Sequence, residues 1–191
     1  MIIVTADHGE GFRERKFFQH SYSLNSELIN VPLIIKYPHQ SIQVNITPRA
    51  RSIDIYPTIL DVSKIDNPQG LEGESLERSY AKENRIVFSE QLRDYNSLGN
   101  TGDKKSYVGY SQAIIYGRYK YIVERDDKEY LYDTVTDPTE MDNHIDTANL
   151  KYMRAIFKEF RDRINKTPIE DNKTSIDLET EEKLRSLGYL S

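Results

Sequence analysis

The residues that could do chemistry come early in the chain. Asp7 and His8 stand side by side in Met1-Ile2-Ile3-Val4-Thr5-Ala6-Asp7-His8-Gly9. A carboxylate beside an imidazole offers one oxygen and one nitrogen donor, and such a pair can hold a divalent cation. A second imidazole, His20, could donate a hydrogen bond to an anionic group or deliver a proton near neutral pH. An Asp-His pair in a turn is more often a satisfied histidine than a metal site, so the element that carries it matters. Ile2-Ile3-Val4 is short, wholly apolar and β-branched, the pattern of a strand buried on both faces of a parallel sheet. In open α/β sheets functional groups lie just past the carboxyl ends of strands. Asp7 and His8 fall there, and Gly9 is expected to let the backbone turn sharply after them.

The following residues add register. Asp7-His8-Gly9-Glu10-Gly11-Phe12 leads through a charged loop to His20, thirteen residues after Asp7, and then to Val31-Pro32-Leu33-Ile34-Ile35. This series resembles the sulfatase family of the alkaline-phosphatase superfamily, whose members carry an Asp-His-Gly-Glu segment, a His or Lys thirteen residues on, and a Val-Pro-Leu-Ile strand. Three further stretches are similar to the family. They are Asp54-Ile55-Tyr56-Pro57-Thr58, the run from Leu131-Tyr132-Asp133 through Asp137-Pro138-Thr139-Glu140 to Asn143, and the closing Glu181–Leu190. The resemblance covers essentially the whole chain and only the C-terminal part of a sulfatase. One departure stands out: Arg13, Arg15 and Lys16 occupy positions where close members have Gly, His and Gly, and only Glu14 is kept.

The resemblance implies roles. Asp7 and His8 would ligate one divalent metal ion, calcium foremost, with magnesium, manganese or zinc as alternatives. His20 would be catalytic and substrate-binding, directed at the ester's anionic group or leaving oxygen. Glu10 either supports the metal ligands or caps a turn, and both readings stay open. His39 and His144 fall on no family motif and are read as ordinary surface histidines. The substrate would be a sulfate ester of a small molecule or glycan.

Composition bounds the alternatives. The 191 residues include 26 Lys and Arg against 31 Asp and Glu, a net charge of −5 with no basic stripe, which argues against a nucleic-acid partner. A hydrophobic fraction of 37% beside 30% charged residues describes a globular chain, and there is no apolar run long enough for a membrane span. Met1 runs straight into the strand pattern, so no signal peptide is expected within these residues. Cysteine is absent, so neither a disulfide nor a thiolate metal site is available. The 14 tyrosines suit strands with one wet face.

Periodicity places the remaining elements. A short helix is expected over 21–28, a strand over Val31–Lys36 and a helix over 52–60, with Ser52 as N-cap and Pro57 either within the first turn or kinking the helix. Arg85–Glu90 reads as a strand and 91–106 as an exposed loop. Tyr107–Tyr116, Tyr119–Glu124 and Glu129–Asp133 read as a meander turning at Gly117-Arg118. Leu150, Met153, Phe157, Phe160 and Ile164 form an apolar stripe on a helix near 147–165 that should cover the small sheet. A last helix is expected over 178–187. The fold expected is α/β: residues 1–80 as the C-terminal part of a sulfatase-like sheet with helices, and 81–191 as a small antiparallel sheet packed on a C-terminal helix.

The nucleophile is missing. Sulfatases carry Cys or Ser, converted to formylglycine, in Cys/Ser-x-Pro-x-Arg. This chain has no Cys and no such segment, and Thr47-Pro48-Arg49 has the wrong spacing. By the resemblance, formylglycine belongs to an N-terminal portion, itself a candidate partner, and the 191 residues alone should be inactive. Two other readings remain: a phosphodiester or phosphonate hydrolase or phosphoethanolamine transferase of the same superfamily, and a non-catalytic module that keeps the fold.

Overall fold

The structure, a computed structural model, describes residues 1–15, 18–19, 23–79, 85–94, 108–124, 127–145, 148–166 and 182–183. The chain divides into two compact units, Met1–Phe157 and Lys158–Ser191.

The first strand, β1 (Ile2–Thr5), forms where the β-branched run predicts it, but its partner differs. It pairs antiparallel with β4 (Leu33–Lys36), Ile3 opposite Ile35, in a two-stranded ribbon. Ile2, Val4 and Ile34 stand open at 64%, 54% and 63% exposure. The expectation of a strand buried on both faces among parallel neighbours is therefore corrected for the described residues. The apolar pattern is present, but the elements that would cover it are not among them. Between these strands lie a two-residue pair, β2 (Gly11–Phe12) with β3 (Phe18–Gln19), and one helical turn, α1 (Ser26–Ile29). Leu24 and Leu28, one turn apart in the helix expected over 21–28, are both buried, although the helix itself starts only at Ser26.

A 3-10 turn, Ser52–Asp54, runs into α2 (Ile55–Val62), with α3 (Leu76–Ser79) behind it. Arg51, not Ser52, occupies the N-cap position. The carboxylate of Asp54 reaches back to accept the Arg51 backbone N–H at 2.8 Å, so the acid satisfies the turn's first donor and Ser52 is drawn inside the turn. Pro57 sits in the first turn of α2, where its missing N–H costs nothing.

The meander forms as a four-stranded antiparallel sheet in the order β5 (Val87–Asp94), β6 (Val108–Tyr116), β7 (Tyr119–Val123), β8 (Glu129–Asp133). Tyr116 opposes Tyr119 across the two-residue turn, and Gly117 carries the positive φ, 57°, that such a turn requires. Strand β5 runs on to Asp94, opposite Val108, so the loop expected from 91 begins no earlier than 95. Residues 95–107 lie outside the described residues. In β7, Lys120, Tyr121 and Ile122 are all buried, so both faces of the strand are covered. Tyr121 meets Phe157 edge-on at 5.5 Å, from the helix α4 (Ala148–Lys166). Leu150, Met153 and Phe157 are the buried residues of the expected stripe. On the other face Ala113, Ile122 and Tyr132 pack with Leu24.

In the second unit α4 continues to Lys166, with the Arg163 guanidinium 4.8 Å from the Phe160 ring centre and Ile164 exposed at 38%. Of the helix expected over 178–187, only 182–183 are described, and they are helical.

Candidate functional site

Asp7 and His8 follow β1 directly, at its carboxyl end. Asp7 Oδ1 accepts the backbone N–H of His8 at 3.0 Å, which turns the carboxylate toward the imidazole. His8 Nδ1 lies 2.8 Å from the carbonyl oxygen of Gly9. A carbonyl can only accept, so Nδ1 carries the proton, and in the neutral ring the lone pair sits on Nε2. That atom is 3.8 Å from Asp7 Oδ2. Metal–donor bonds of ~2.0–2.4 Å place two ligands of one cation about this far apart, so the pair fits a divalent ion. The Asp7 side chain is 91% exposed and that of His8 45%, so a ligand could reach both. Among the described residues no third His, Asp or Glu joins them. His20 and its loop neighbours Lys16 and Phe17 lie outside the described residues.

Gly9 is needed for a reason other than the one its turn position suggests. Its φ is not left-handed. A Cβ there would sit 2.0 Å from the Glu27 carbonyl oxygen and 3.2 Å from Leu28 Cα. The Gly9 N–H donates to Leu28 O at 2.7 Å. The candidate ligands are therefore held by direct backbone contact between Gly9 and α1.

That helix is clamped in turn. Glu140, fully buried and with a positive φ of 54°, accepts from Asn25 Nδ2 at 2.7 Å, the Ser26 backbone N–H at 3.2 Å, the Ser26 hydroxyl, and Lys120 Nζ at 2.8 Å. Lys120 is likewise fully buried. Burial alone would raise the Glu140 carboxyl. The Lys120 ammonium and the Ser26 and Asn25 donors outweigh it and hold the group below the ordinary carboxylate range. For Lys120 burial prevails over the attraction of Glu140 and pushes its pKa down. Arg15 completes the clamp. It donates to Glu27 Oε1 at 2.8 Å, to the Glu140 carbonyl at 2.7 Å and to the Thr139 carbonyl at 2.6 Å.

A second buried carboxylate, Asp54, is fully enclosed and binds the Arg51 and Arg85 guanidiniums, both at 2.9 Å, and the Glu74 backbone N–H at 3.0 Å. Burial raises its pKa, but these donors outweigh it and leave it lowered. Around the β7–β8 edge, Arg118 holds Asp133 down at about 2. Asn143 Oδ1 accepts the Leu131 N–H at 2.9 Å.

Residues 13–169 match the family described as N-sulphoglucosamine sulphohydrolase, C-terminal. The chain belongs to this family. It is similar to the sulfatase YidJ of Escherichia coli (strain K12), at 28% identity over 157 residues, covering 81% of this chain and 30% of that protein. Among solved structures it is similar to BT1596, a 2-O GAG sulfatase, with a TM-score of 0.70 and 25% identity over 86% of this chain and 36% of that one. The fold is shared by BT4656, solved in complex with its substrate D-glucosamine-2-N,6-O-disulfate, with a TM-score of 0.67 and 23% identity over 88% of this chain and 35% of that one. The chain thus spans about a third of the length of these sulfatases. The family-like Asp-Pro-x-Glu stretch, Asp137 to Glu140, meets α1 and β7 through its last residue. The Glu of that stretch is Glu140, which bonds Lys120, Asn25 and Ser26 and lies 3.7 Å from the Arg15 guanidinium. Sequence reasoning matched Glu140 to a motif without giving it a role, and it read Arg15 only as a departure from one.

Proposed function

We propose that this chain is the C-terminal part of a metal-dependent sulfuric ester hydrolase acting on a sulfate ester of a small molecule or glycan. The observation that carries the reading is the family match over residues 13–169, joined to an Asp7–His8 pair whose donors are 3.8 Å apart at the end of β1. Asp7 Oδ2 and His8 Nε2 would hold one divalent cation, calcium foremost, and the donation of Nδ1–H to Gly9 O fixes the ring for it. When bound, the cation would lower the nucleophile's pKa and neutralise charge developing on the sulfate oxygens. His20 would face the same ester and hydrogen-bond or protonate its leaving oxygen. The formylglycine nucleophile would come from the N-terminal portion, which would also complete the sheet over the open apolar sides of β1 and β4. In this reading residues 1–80 belong to the catalytic α/β domain and 81–191 to its C-terminal subdomain.

The test begins with the coding DNA upstream of the Met1 codon, which should encode a Cys/Ser-x-Pro-x-Arg segment. Joined in frame with this chain, that product should release sulfate from an aryl sulfate and from N- or O-sulfated glucosamine. Asp7→Ala or His8→Ala should abolish release and weaken metal binding. His20→Ala should keep its metal and lose more rate on esters with a basic leaving oxygen. No upstream nucleophile segment, or faster turnover of a phosphonate monoester than of every sulfate offered, would overturn the reading.

A further inference from the structure

The placement of Asp7 and His8 depends on a carboxylate far away in sequence. Helix α1 has only four residues, too few to persist on its own. Its N-cap residue, Asn25, makes no side-chain cap bond and instead gives its amide to Glu140, while the first helical N–H, that of Ser26, goes to the same carboxylate 114 residues on. The C-terminal end of the turn then receives Gly9, through the bond from Gly9 N–H to Leu28 O and the packing of Gly9 against the Glu27 carbonyl. Arg15 ties the other side of the candidate segment to the same place, bonding Glu27 and the carbonyls of Thr139 and Glu140. Glu140 pays for its position with a left-handed φ, a conformation that persists only where the surroundings over-determine it.

We propose that Glu140 is a positioning residue for the candidate metal segment: with Lys120 fixing its charge in β7, it caps α1, and α1 seats Gly9 and thereby Asp7 and His8. The proposal rests on the metal reading of Asp7 and His8 only for its consequence, since the mechanical link is read from the contacts themselves.

The experiment uses the full 191-residue chain, with residue-level amide exchange by NMR and Mn²⁺ as the metal probe. Ser26→Ala removes the hydroxyl bond to Glu140 and leaves the Lys120–Glu140 pair intact. Gly9 N–H should then exchange about fivefold faster, the change expected from one lost hydrogen bond, with β7 amides such as Tyr121 unaltered. Glu140→Gln should speed Gly9 further. If that variant fails to fold, Ser26→Ala alone decides. Broadening of the His8 resonances should need more Mn²⁺ in Ser26→Ala than in the wild type. Unchanged Gly9 exchange in Ser26→Ala, or equal acceleration throughout β7, would overturn the proposal. Faster Gly9 exchange with no Mn²⁺ broadening in the wild type would support the positioning role and sink the metal reading instead. Equal Mn²⁺ broadening with unmoved Gly9 exchange would do the reverse.

Discussion

Gly9→Ala puts the contact between Gly9 and α1 to a quantitative test. The added methyl carbon would lie 2.0 Å from Glu27 O, 3.0 Å from Glu27 C and 3.2 Å from Leu28 Cα. All three neighbours are backbone, so no side chain can swing aside. Relief requires the two segments to part by about 1 Å, which stretches the 2.7 Å bond from Gly9 N–H to Leu28 O out of hydrogen-bonding range. The lost bond costs about 1 kcal/mol, and forcing an extra carbon into a close-packed contact adds about 1–3 kcal/mol. The candidate segment is partly open to solvent, which favours the lower half of that range, so the expected loss is about 2–3 kcal/mol. With a urea m-value near 2 kcal/mol/M, the midpoint should fall by about 1–1.5 M. Gly70→Ala is the control: nothing lies within 4 Å of its Cβ, and only its φ of 86° opposes a side chain, a cost of about 1–2 kcal/mol. Far-UV circular dichroism in urea, run on both variants, separates steric contact from backbone strain. A Gly9→Ala midpoint at or above that of Gly70→Ala would refute the claim that α1 seats the segment.

Three other outcomes follow from the same contacts. Lys120→Met should destabilise by about 3 kcal/mol, because it leaves a fully buried carboxylate with only the more distant Arg15 guanidinium at 3.7 Å, and adding Glu140→Gln should recover much of that loss. Equal urea midpoints for the single and double variants would contradict this. Asp54 and Glu140 both have folded-state pKa values below their unfolded ones, so the folded chain binds fewer protons. Their contribution is complete above the unfolded carboxylate values of about 4 and is lost as pH falls through the lower folded values. Urea midpoints should be flat from pH 7 to 5 and drop below 4, more steeply than in Asp54→Asn, and a midpoint that rises on acidification would be inconsistent with this. Finally, the purified chain should show no metal-dependent turnover of an aryl sulfate, and sulfate release above the buffer blank would contradict that expectation.

Most elements were legible because their signals are local. The β-branched runs, the Gly117-Arg118 turn and the Leu150–Met153–Phe157 spacing each name a strand, a hairpin or a helix face without reference to distant residues. What local pattern could not tell is which element covers which. Ile2-Ile3-Val4 has the composition of a doubly buried strand, yet among the described residues it meets only β4, antiparallel. The tyrosine count suits strands with one wet face, yet Leu24 packs on one face of β7 and Phe157 on the other. Ser52 has cap chemistry, but the turn begins one residue earlier, where the Asp54 carboxylate, held by two arginines, accepts the Arg51 N–H.

The candidate site divides in the same way. That Asp7 and His8 follow a strand was legible from the β-branched run before them. Their support was not, because it is assembled across 114 residues from Glu140 to Ser26. A usable signal was nevertheless present. Lys120 sits in Tyr119-Lys120-Tyr121-Ile122-Val123, the strand whose hairpin and meander place it second from the sheet's edge. Charged residues are almost never fully buried unless paired. A lysine with aromatic neighbours on an inner strand therefore requires a carboxylate brought to it from elsewhere. The β8 turn that follows offers Asp133, Asp137, Glu140 and Asp142. Asp133 is taken by Arg118, while Asp137 accepts the Thr139 hydroxyl and the Asp142 N–H. Glu140, longer than any of the three aspartates and with a left-handed φ, is the one that reaches Lys120. The second oxygen of a buried carboxylate must also be satisfied. Asn25 and the Ser26 N–H supply that need, and in doing so they fix the helix on which Gly9 rests.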